Sequence, residues 1–301
     1  MCIRDRYVAV NFKITGIDEN LIQTACDLLV DAASAAGFES FETENDNVTG
    51  YIRKDIYNPE TLDNEIASVP LEGINISYTA NEVEDADWNS TWEDAGFEPI
   101  SINDKLVIYD ARHTDATQIA RLDGPGVITI GIEAKQAFGT GTHQTTRMVI
   151  SEFIKNKELI KEGSILDCGC GTGILSIAAA KLGADSITGY DIDEWSVNNS
   201  RHNVMLNGEQ DKIKILHGDA SVLDTINDKF DIVAANINRN ILLNDMPGFY
   251  SKMKQNAILI LSGFYETDIP LLIEKAASLN MQETDRMTED EWACIVLKYK
   301  A

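Results

Sequence analysis

Cations are scarce in this chain: 25 Lys and Arg stand against 49 Asp and Glu in 301 residues, a formal net charge of −24. So large an acidic excess argues against general binding to a nucleic-acid backbone, which requires clustered positive charge. Cysteine is sparse as well. Cys2, Cys26, Cys168, Cys170 and Cys294 are odd in number and contain one close pair, so they make neither a disulfide framework nor zinc-ligand spacing. Four scattered histidines, His113, His143, His202 and His217, form no ligand cluster. A reducing compartment and no structural metal are expected. No apolar run approaches the roughly 18 to 20 residues of a membrane helix. Residues 1–6 carry no apolar core like that of a signal peptide and stand outside the strand pattern that starts near Tyr7. A cytoplasmic protein, acting as a monomer without membrane or direct nucleic-acid partners, is the expectation.

What the chain does contain is ordinary for a globular protein: 44% apolar and 25% charged residues, enough to bury a core. Its length suits about two domains. The charge is uneven, because residues 1–100 hold 21 acidic and 5 basic side chains and so account for −16 of the −24. Such asymmetry fits a basic partner, and a solubility surface explains it equally well.

Residues 1–83 read as a small α+β domain. Val8, Val10, Phe12 and Ile14 alternate as a strand with one buried face. Asp18 is placed to cap a helix carrying Leu21, Ile22, Ala25, Leu28, Leu29, Ala32 and Ala36, which Gly37 stops. Strands are expected over 38–44 and 48–56 around Asn45-Asp46-Asn47, a helix over 59–69, and a last strand at Ile74, Ile76 and Tyr78. The order β-α-β-β-α-β is the ferredoxin-like unit. Residues 84–98, acidic and bearing Trp88 and Trp92 four apart, are expected to form a linker helix. Strands at 105–111 and 127–133 open the third segment, 99–301. From about residue 145, strand-like runs at 164–168, 187–192, 213–216, 230–236, 257–261 and 293–299 alternate with helical stretches such as 174–182 and 194–206. That rhythm implies an α/β fold, a mostly parallel sheet with helices on both faces.

Ile165-Leu166-Asp167-Cys168-Gly169-Cys170-Gly171-Thr172-Gly173 is a buried strand running into a glycine loop that opens a helix. A dinucleotide fingerprint would place glycine at 174, where isoleucine stands. The pattern resembles the class I methyltransferase loop for S-adenosylmethionine instead. Asp191 lies at the tip of the next strand, where a carboxylate can accept both hydroxyls of a ribose. Asp193, just before Glu194, suits helix capping better. Asp219 ends the third strand, where an acid commonly meets the adenine amino group in this fold. Asn236 ends the fourth, beside the glycine loop. Its side-chain oxygen can accept a hydrogen bond from an amine and steer the nitrogen lone pair; a turn-forming asparagine is the other reading. Upstream, Phe138-Gly139-Thr140-Gly141-Thr142-His143-Gln144-Thr145-Thr146 forms a polar loop that could cover a ligand or cap the following helix.

Taken together, the Phe-Gly-Thr-Gly-Thr-His-x-Thr-Thr loop, Gly-x-Gly-Thr-Gly, Asp191-Ile192-Asp193, Ala235-Asn236-Ile237 and Leu261-Ser262-Gly263 resemble the PrmA family of ribosomal protein L11 methyltransferases. Asp87-Trp88, Trp92 and Glu291-Trp292 extend the likeness over most of the chain. The resemblance implies a ferredoxin-like domain that grips a basic ribosomal protein, a linker, and a class I catalytic domain. It also implies methylation of the α-amine and lysine ε-amines of L11; the expected mechanism is direct displacement of the sulfonium methyl by a neutral amine. By position, Thr146, Gly169, Asp191 and Asn236 would contact the donor, with Asn236 also facing the amine; Phe138, Gly171, Gly173 and Asp219 complete the expected donor site. Two departures stand out: Glu133-Ala134-Lys135 where the family often has Asp-Pro-Gly, and Asn238 where it often has leucine. Methylation of another protein, or of adenine in nucleic acid, is the alternative; the adenine enzymes carry prolines and an aromatic after the asparagine, unlike Ile237-Asn238-Arg239.

Overall fold

A computed structural model describes residues 7–16, 22–38, 40–44, 47–67, 69, 75–82, 96–122, 124–135, 137 and 139–300. The chain divides into two compact units, residues 1–87 and 88–301.

The first unit consists of β1 (Tyr7–Thr15), α1 (Ile22–Ala35), β2 (Ser40–Glu44), β3 (Asn47–Arg53), α2 (Pro59–Ala67) and β4 (Asn75–Glu82). Its strands pair antiparallel in the order β2-β3-β1-β4, the ferredoxin-like arrangement expected from the sequence. The alternation in β1 has the anticipated cause: Val8, Val10, Phe12 and Ile14 are buried against Ala25, Leu29 and Ala33 of α1 and Leu62 of α2. Gly50 in β3 leaves room for three aromatic rings, since a Cβ there would lie 2.7 Å from the Phe38 ring. The third strand stops at Arg53 rather than at residue 56, because a turn forms in which Ile56 N–H donates to the Arg53 carbonyl at 3.1 Å. Asp18, Asn45, Asp46, Trp88 and Trp92 lie outside the described residues.

In the second unit, β5 (Ile100–Ile102), β6 (Leu106–Asp110) and β7 (Ile128–Ile132) form a small sheet, with α3 (Ala116–Leu122) before β7. The main layer then follows as α4 (Gln144–Lys155), α5 (Lys157–Ile160), β8 (Ser164–Cys168), α6 (Ile174–Lys181), β9 (Ser186–Asp191), α7 (Glu194–Leu206) and β10 (Ile213–His217). A 3-10 turn, Ala220–Thr225, precedes β11 (Phe230–Asn236), α8 (Arg239–Ser251), β12 (Met253–Tyr265), α9 (Ile269–Ser278), β13 (Met281–Glu289) and β14 (Trp292–Tyr299). The seven strands lie in the order β10-β9-β8-β11-β12-β14-β13. The first five are parallel and β14 runs antiparallel to both its neighbours. Apolar clusters fill both faces, one around Phe153, Ile177 and Ile232, the other around Val233, Leu242, Phe249 and Leu272. The chain leaves β8 toward β9 on one side and returns to β11 on the other, so the strand order reverses between β8 and β11. In open α/β sheets that reversal leaves a crevice at the carboxyl ends of the strands.

Two features were not expected from the sequence. β13 is an edge strand whose exposed face carries Gln282, Thr284, Arg286 and Thr288, too polar to stand out as an apolar run. The other is a ladder of asparagines on α7. Asn207 pairs with Gly131 of β7, accepting from its N–H at 3.1 Å and donating to its carbonyl at 2.7 Å. Asn203 accepts from Glu133 N–H at 2.9 Å, and Asn199 donates to the Glu133 carbonyl at 2.9 Å. Spaced four apart, these side chains complete the edge of β7 and anchor residues 131–133, which lead into the His143 loop.

Asp167 sits fully buried at the end of β8. Ser176 N–H and Oγ donate to its Oδ2 at 3.1 and 2.7 Å, while Oδ1 has no partner. Burial pushes its pKa up to about 6 from 3.8. The folded protein therefore takes up this proton at a higher pH than the unfolded chain does, and the contribution to stability falls as pH rises between about 4 and 6. Asp167→Asn is expected to abolish that component. In urea titrations, the wild type should lose on the order of 3 kcal/mol relative to the variant between pH 4 and pH 7; a constant difference would remove the assignment.

Candidate functional site

A cleft of about 360 Å³ opens over the carboxyl ends of β8, β9, β10 and β11. Its floor is the glycine loop. Gly169 and Cys170 N–H groups donate to the Tyr190 carbonyl at 2.9 and 3.0 Å, folding the loop back over β9. Gly169, Gly171 and Gly173 all have positive φ, at 74°, 53° and 81°, values that suit glycine because it lacks a Cβ. Gly171 N–H donates to Asp191 Oδ2 at 2.9 Å, and Asp193 N–H donates to Oδ1 at 3.0 Å. Each carboxylate oxygen keeps a lone pair for a ligand hydroxyl. Asp193 caps α7, accepting from Ser196 N–H at 2.9 Å, so the two neighbouring acids divide binding geometry and capping between them.

The wall across from Asp191 is Asn236 with Ile237 and Asn238. Asn236 Nδ2 donates to Thr146 Oγ1 at 3.4 Å, which leaves Oδ1 as the end of the amide available to an incoming donor. Ile237 is held between two glycines: a Cβ at Gly169 would lie 2.5 Å from its Cγ2, and one at Gly263 2.5 Å from its carbonyl oxygen. Asn238 caps α8 by accepting from Ile241 N–H at 3.1 Å, so this departure from the family pattern serves the helix while lining the cleft.

The His143 loop both caps and lines. His143 is the N-cap of α4, with Nδ1 accepting from Thr145 N–H at 3.3 Å, and its ring stands edge-on to Trp292 at 4.6 Å. Burial, then the Arg147 charge, lowers its pKa. Thr172 Oγ1 donates to the Gly139 carbonyl and ties this loop to the glycine loop. Gly139 and buried Thr146 line the cleft.

Of the residues singled out from the sequence, Thr146, Gly169, Gly171, Asp191, Asp219 and Asn236 meet at this one cleft. Asp219 is exposed there and caps the 3-10 turn, accepting from Ser221 N–H at 2.9 Å; the Ser221 hydrogen bonds lower its pKa. Gly173 is not among the lining residues. A Cβ on it would lie 2.5 Å from Ser200 Oγ, so this glycine lets α6 and α7 pack closely. Phe138 lies outside the described residues. Sequence reasoning passed over Tyr190, Ile192, Ile241 and Asp245, which also line the cleft. Tyr190 and Ile192 flank Asp191 and were within reach of the motif, whereas Ile241 and Asp245 arrive on α8 with no local pattern to mark them.

The electrostatics narrow the ligand class. Asp191, Asp219 and Asp245 line the cleft, and no Lys, Arg or His does among the described residues. A phosphate-bearing cofactor would face three carboxylates and no counter-charge, and the Gly171 N–H is already committed to Asp191. A cationic nucleoside fits. The thiols of Cys168 and Cys170 are buried, which pushes their pKa values well up and leaves them protonated rather than nucleophilic. No cluster of His, Cys, Asp and Glu suited to a metal occurs among the described residues, and no helix among them is long and apolar enough to cross a membrane.

Comparison with known proteins agrees with this geometry. The family model described as ribosomal protein L11 methyltransferase (PrmA) matches residues 17–300. A protein of Bacteroides fragilis named ribosomal protein L11 methyltransferase is 42% identical over 284 residues, 94% of this chain and 98% of that one. Its namesake in Bacteroides thetaiotaomicron is 39% identical over 288 residues, covering 96% and 99%. The crystal structure of a ribosomal protein L11 methylase from Lactobacillus delbrueckii subsp. bulgaricus is 28% identical, with a TM-score of 0.58, over 68% of this chain and 100% of that chain. With its class I methyltransferase sheet and an S-adenosylmethionine-type cleft at the strand-order reversal, the chain belongs to the ribosomal protein L11 methyltransferase (PrmA) family.

Proposed function

We propose that this protein is a protein N-methyltransferase acting on the lysine ε-amines and the α-amine of ribosomal protein L11, in the cytoplasm. The observation that carries the reading is the cleft itself, which brings Asp191 and Asn236 to opposite sides of an acid-lined crevice floored by glycines, with no cation among its described lining residues. S-adenosylmethionine supplies, when bound, a methyl group activated by a sulfonium centre. Asp191 accepts hydrogen bonds from the ribose hydroxyls, and Gly169 and Gly171 let the donor lie close against the backbone. Thr146 and Asn236 stand at the other end, where the methyl is presented. Asp219 and the turn it caps receive the adenine.

A lysine ammonium has a pKa near ~10.4 in water, so a nucleophilic amine must shed a proton before transfer. Entry past Ile237 and Ile241 removes hydration and favours the neutral form. Asn236 Oδ1 then accepts a hydrogen bond from the neutral amine and aims its lone pair at the methyl carbon. Loss of the proton to water before docking makes a dedicated general base unnecessary. Most of the acceleration comes from alignment of nitrogen, methyl and sulfur. The ferredoxin-like unit grips the substrate, and its acidic excess attracts a lysine-rich partner at long range.

Asn236→Ala should lower methyl transfer to L11 by about 100-fold while leaving the melting temperature close to that of the unaltered protein; unchanged turnover would remove Asn236 from the reaction. Incubation with methyl-labelled donor should place label in L11, on lysine and the N-terminal amine, and none in ribosomal RNA. Label confined to RNA would reverse the substrate assignment.

Raising ionic strength provides a separate check on the acidic unit. Between low salt and about 0.5 M salt, where screening lengths fall below ~5 Å, the KM for L11 should rise several-fold. Donor affinity should change by less than about twofold, since its contacts are short and partly buried. An equal loss of both would make the charge a matter of solubility alone.

A further inference from the structure

The adenine end of the cleft has an acid that neither the motif nor the capping pattern explains. Asp245 lies on α8, one turn beyond Ile241, and both side chains face the cleft. It is half-buried, whereas Asp219 is exposed. Asn244 Nδ2 donates to its Oδ1 at 2.6 Å, which holds the carboxylate and leaves Oδ2 to other donors. One contact places this part of α8 beside the 3-10 turn that Asp219 begins, and a second observation sets it near the ends of β8 and β9. A Cβ on Gly248 would lie 3.2 Å from Leu223 of the 3-10 turn, and the field of Asp245 reaches the buried Tyr190 hydroxyl and Cys168 thiol. No lysine, arginine or histidine among the described lining residues neutralises it.

The exocyclic amine of adenine has two N–H donors, and a single carboxylate that also caps a turn is a poor match for both. We infer that Asp245 is a second base-recognition residue, accepting one adenine N–H while Asp219 takes the other. This rests on the reading of the cleft as the donor site. A carboxylate at this point also discriminates: a purine with oxygen at the 6-position presents lone pairs to a negative charge and is rejected. Asp245 thereby selects the base, and it does not touch the reacting methyl.

The test uses the full chain with S-adenosylhomocysteine and S-inosylhomocysteine, whose bases differ in the 6-amino and 6-oxo groups, and reads dissociation constants by calorimetry. The unaltered protein should prefer the adenosyl compound by about ten- to hundredfold. Asp245→Asn can donate to a 6-oxo group, so it should weaken adenosyl binding, strengthen inosyl binding and bring the ratio close to one. Asp245→Ala should weaken adenosyl binding without weakening inosyl binding, a result that misfolding would not produce. An unchanged ratio in both variants would overturn the assignment, even if Asp219→Asn shifted it. Absence of binding by either compound to the unaltered protein would overturn the donor-site reading itself and the inference with it.

Discussion

The cleft depends on a backbone contact at Ile237. Gly169, at the head of the glycine loop, and Gly263, near the end of β12, both adopt left-handed conformations and close on this residue from two strands. A Cβ at Gly263 would push β12 away from the end of β11, and one at Gly169 would displace the Ile237 side chain. Asn236 and Asn238 flank Ile237, so the same contact sets where the Asn236 amide stands and where α8 begins. Ile237 N–H also donates to the Ser262 carbonyl at 3.1 Å, and Ser262 Oγ donates to Ala293 at 2.8 Å, which carries the restraint across β12 to β14. The site is rigid on this side because it is built from packed strand ends.

The opposite side is held by polar groups. Asp191 binds the loop N–H at Gly171, Thr172 binds the Gly139 carbonyl, and the asparagine ladder of α7 fastens the end of β7. These bonds connect three segments far apart in sequence: the 131–146 stretch, the glycine loop and α7. His143, which the residue pattern left between ligand cover and helix cap, serves as the cap, while its neighbours Gly139 and Thr146 line the cleft. Residues 133–135 depart from the family's common Asp-Pro-Gly. In this chain Glu133 pairs its backbone with Asn199 and Asn203, and its carboxylate meets His202 Nε2 at 2.5 Å. Side chains of a neighbouring helix thus anchor that stretch.

The charge distribution follows the same division of labour. Most of the acidic excess lies in residues 1–100. Inside the cleft, three carboxylates are enough to set ligand class, because no compensating cation stands among the described lining residues. A protein can therefore be acidic throughout and still use a few acids specifically, when fixed geometry gathers those few around one cleft.

By itself the sequence determined the element types, the ferredoxin-like order of the first unit, the parallel rhythm of the second, and the residues whose chemistry is local. The glycine loop, Asp191 at a strand tip and Asn236 beside it are legible because turn geometry and strand ends act over a few residues. Tertiary structure decided the rest. Gly173 and Gly169 look alike in the motif, yet one faces Ser200 of a neighbouring helix and the other Ile237 and the cleft. Asp245 and the asparagines of α7 carry no signal in the chain, since their partners are supplied by elements distant in sequence. β13 escaped notice because an edge strand buries too little to need an apolar pattern. Local chemistry is written in spacing, while contacts between distant segments exist only once the sheet has brought them together.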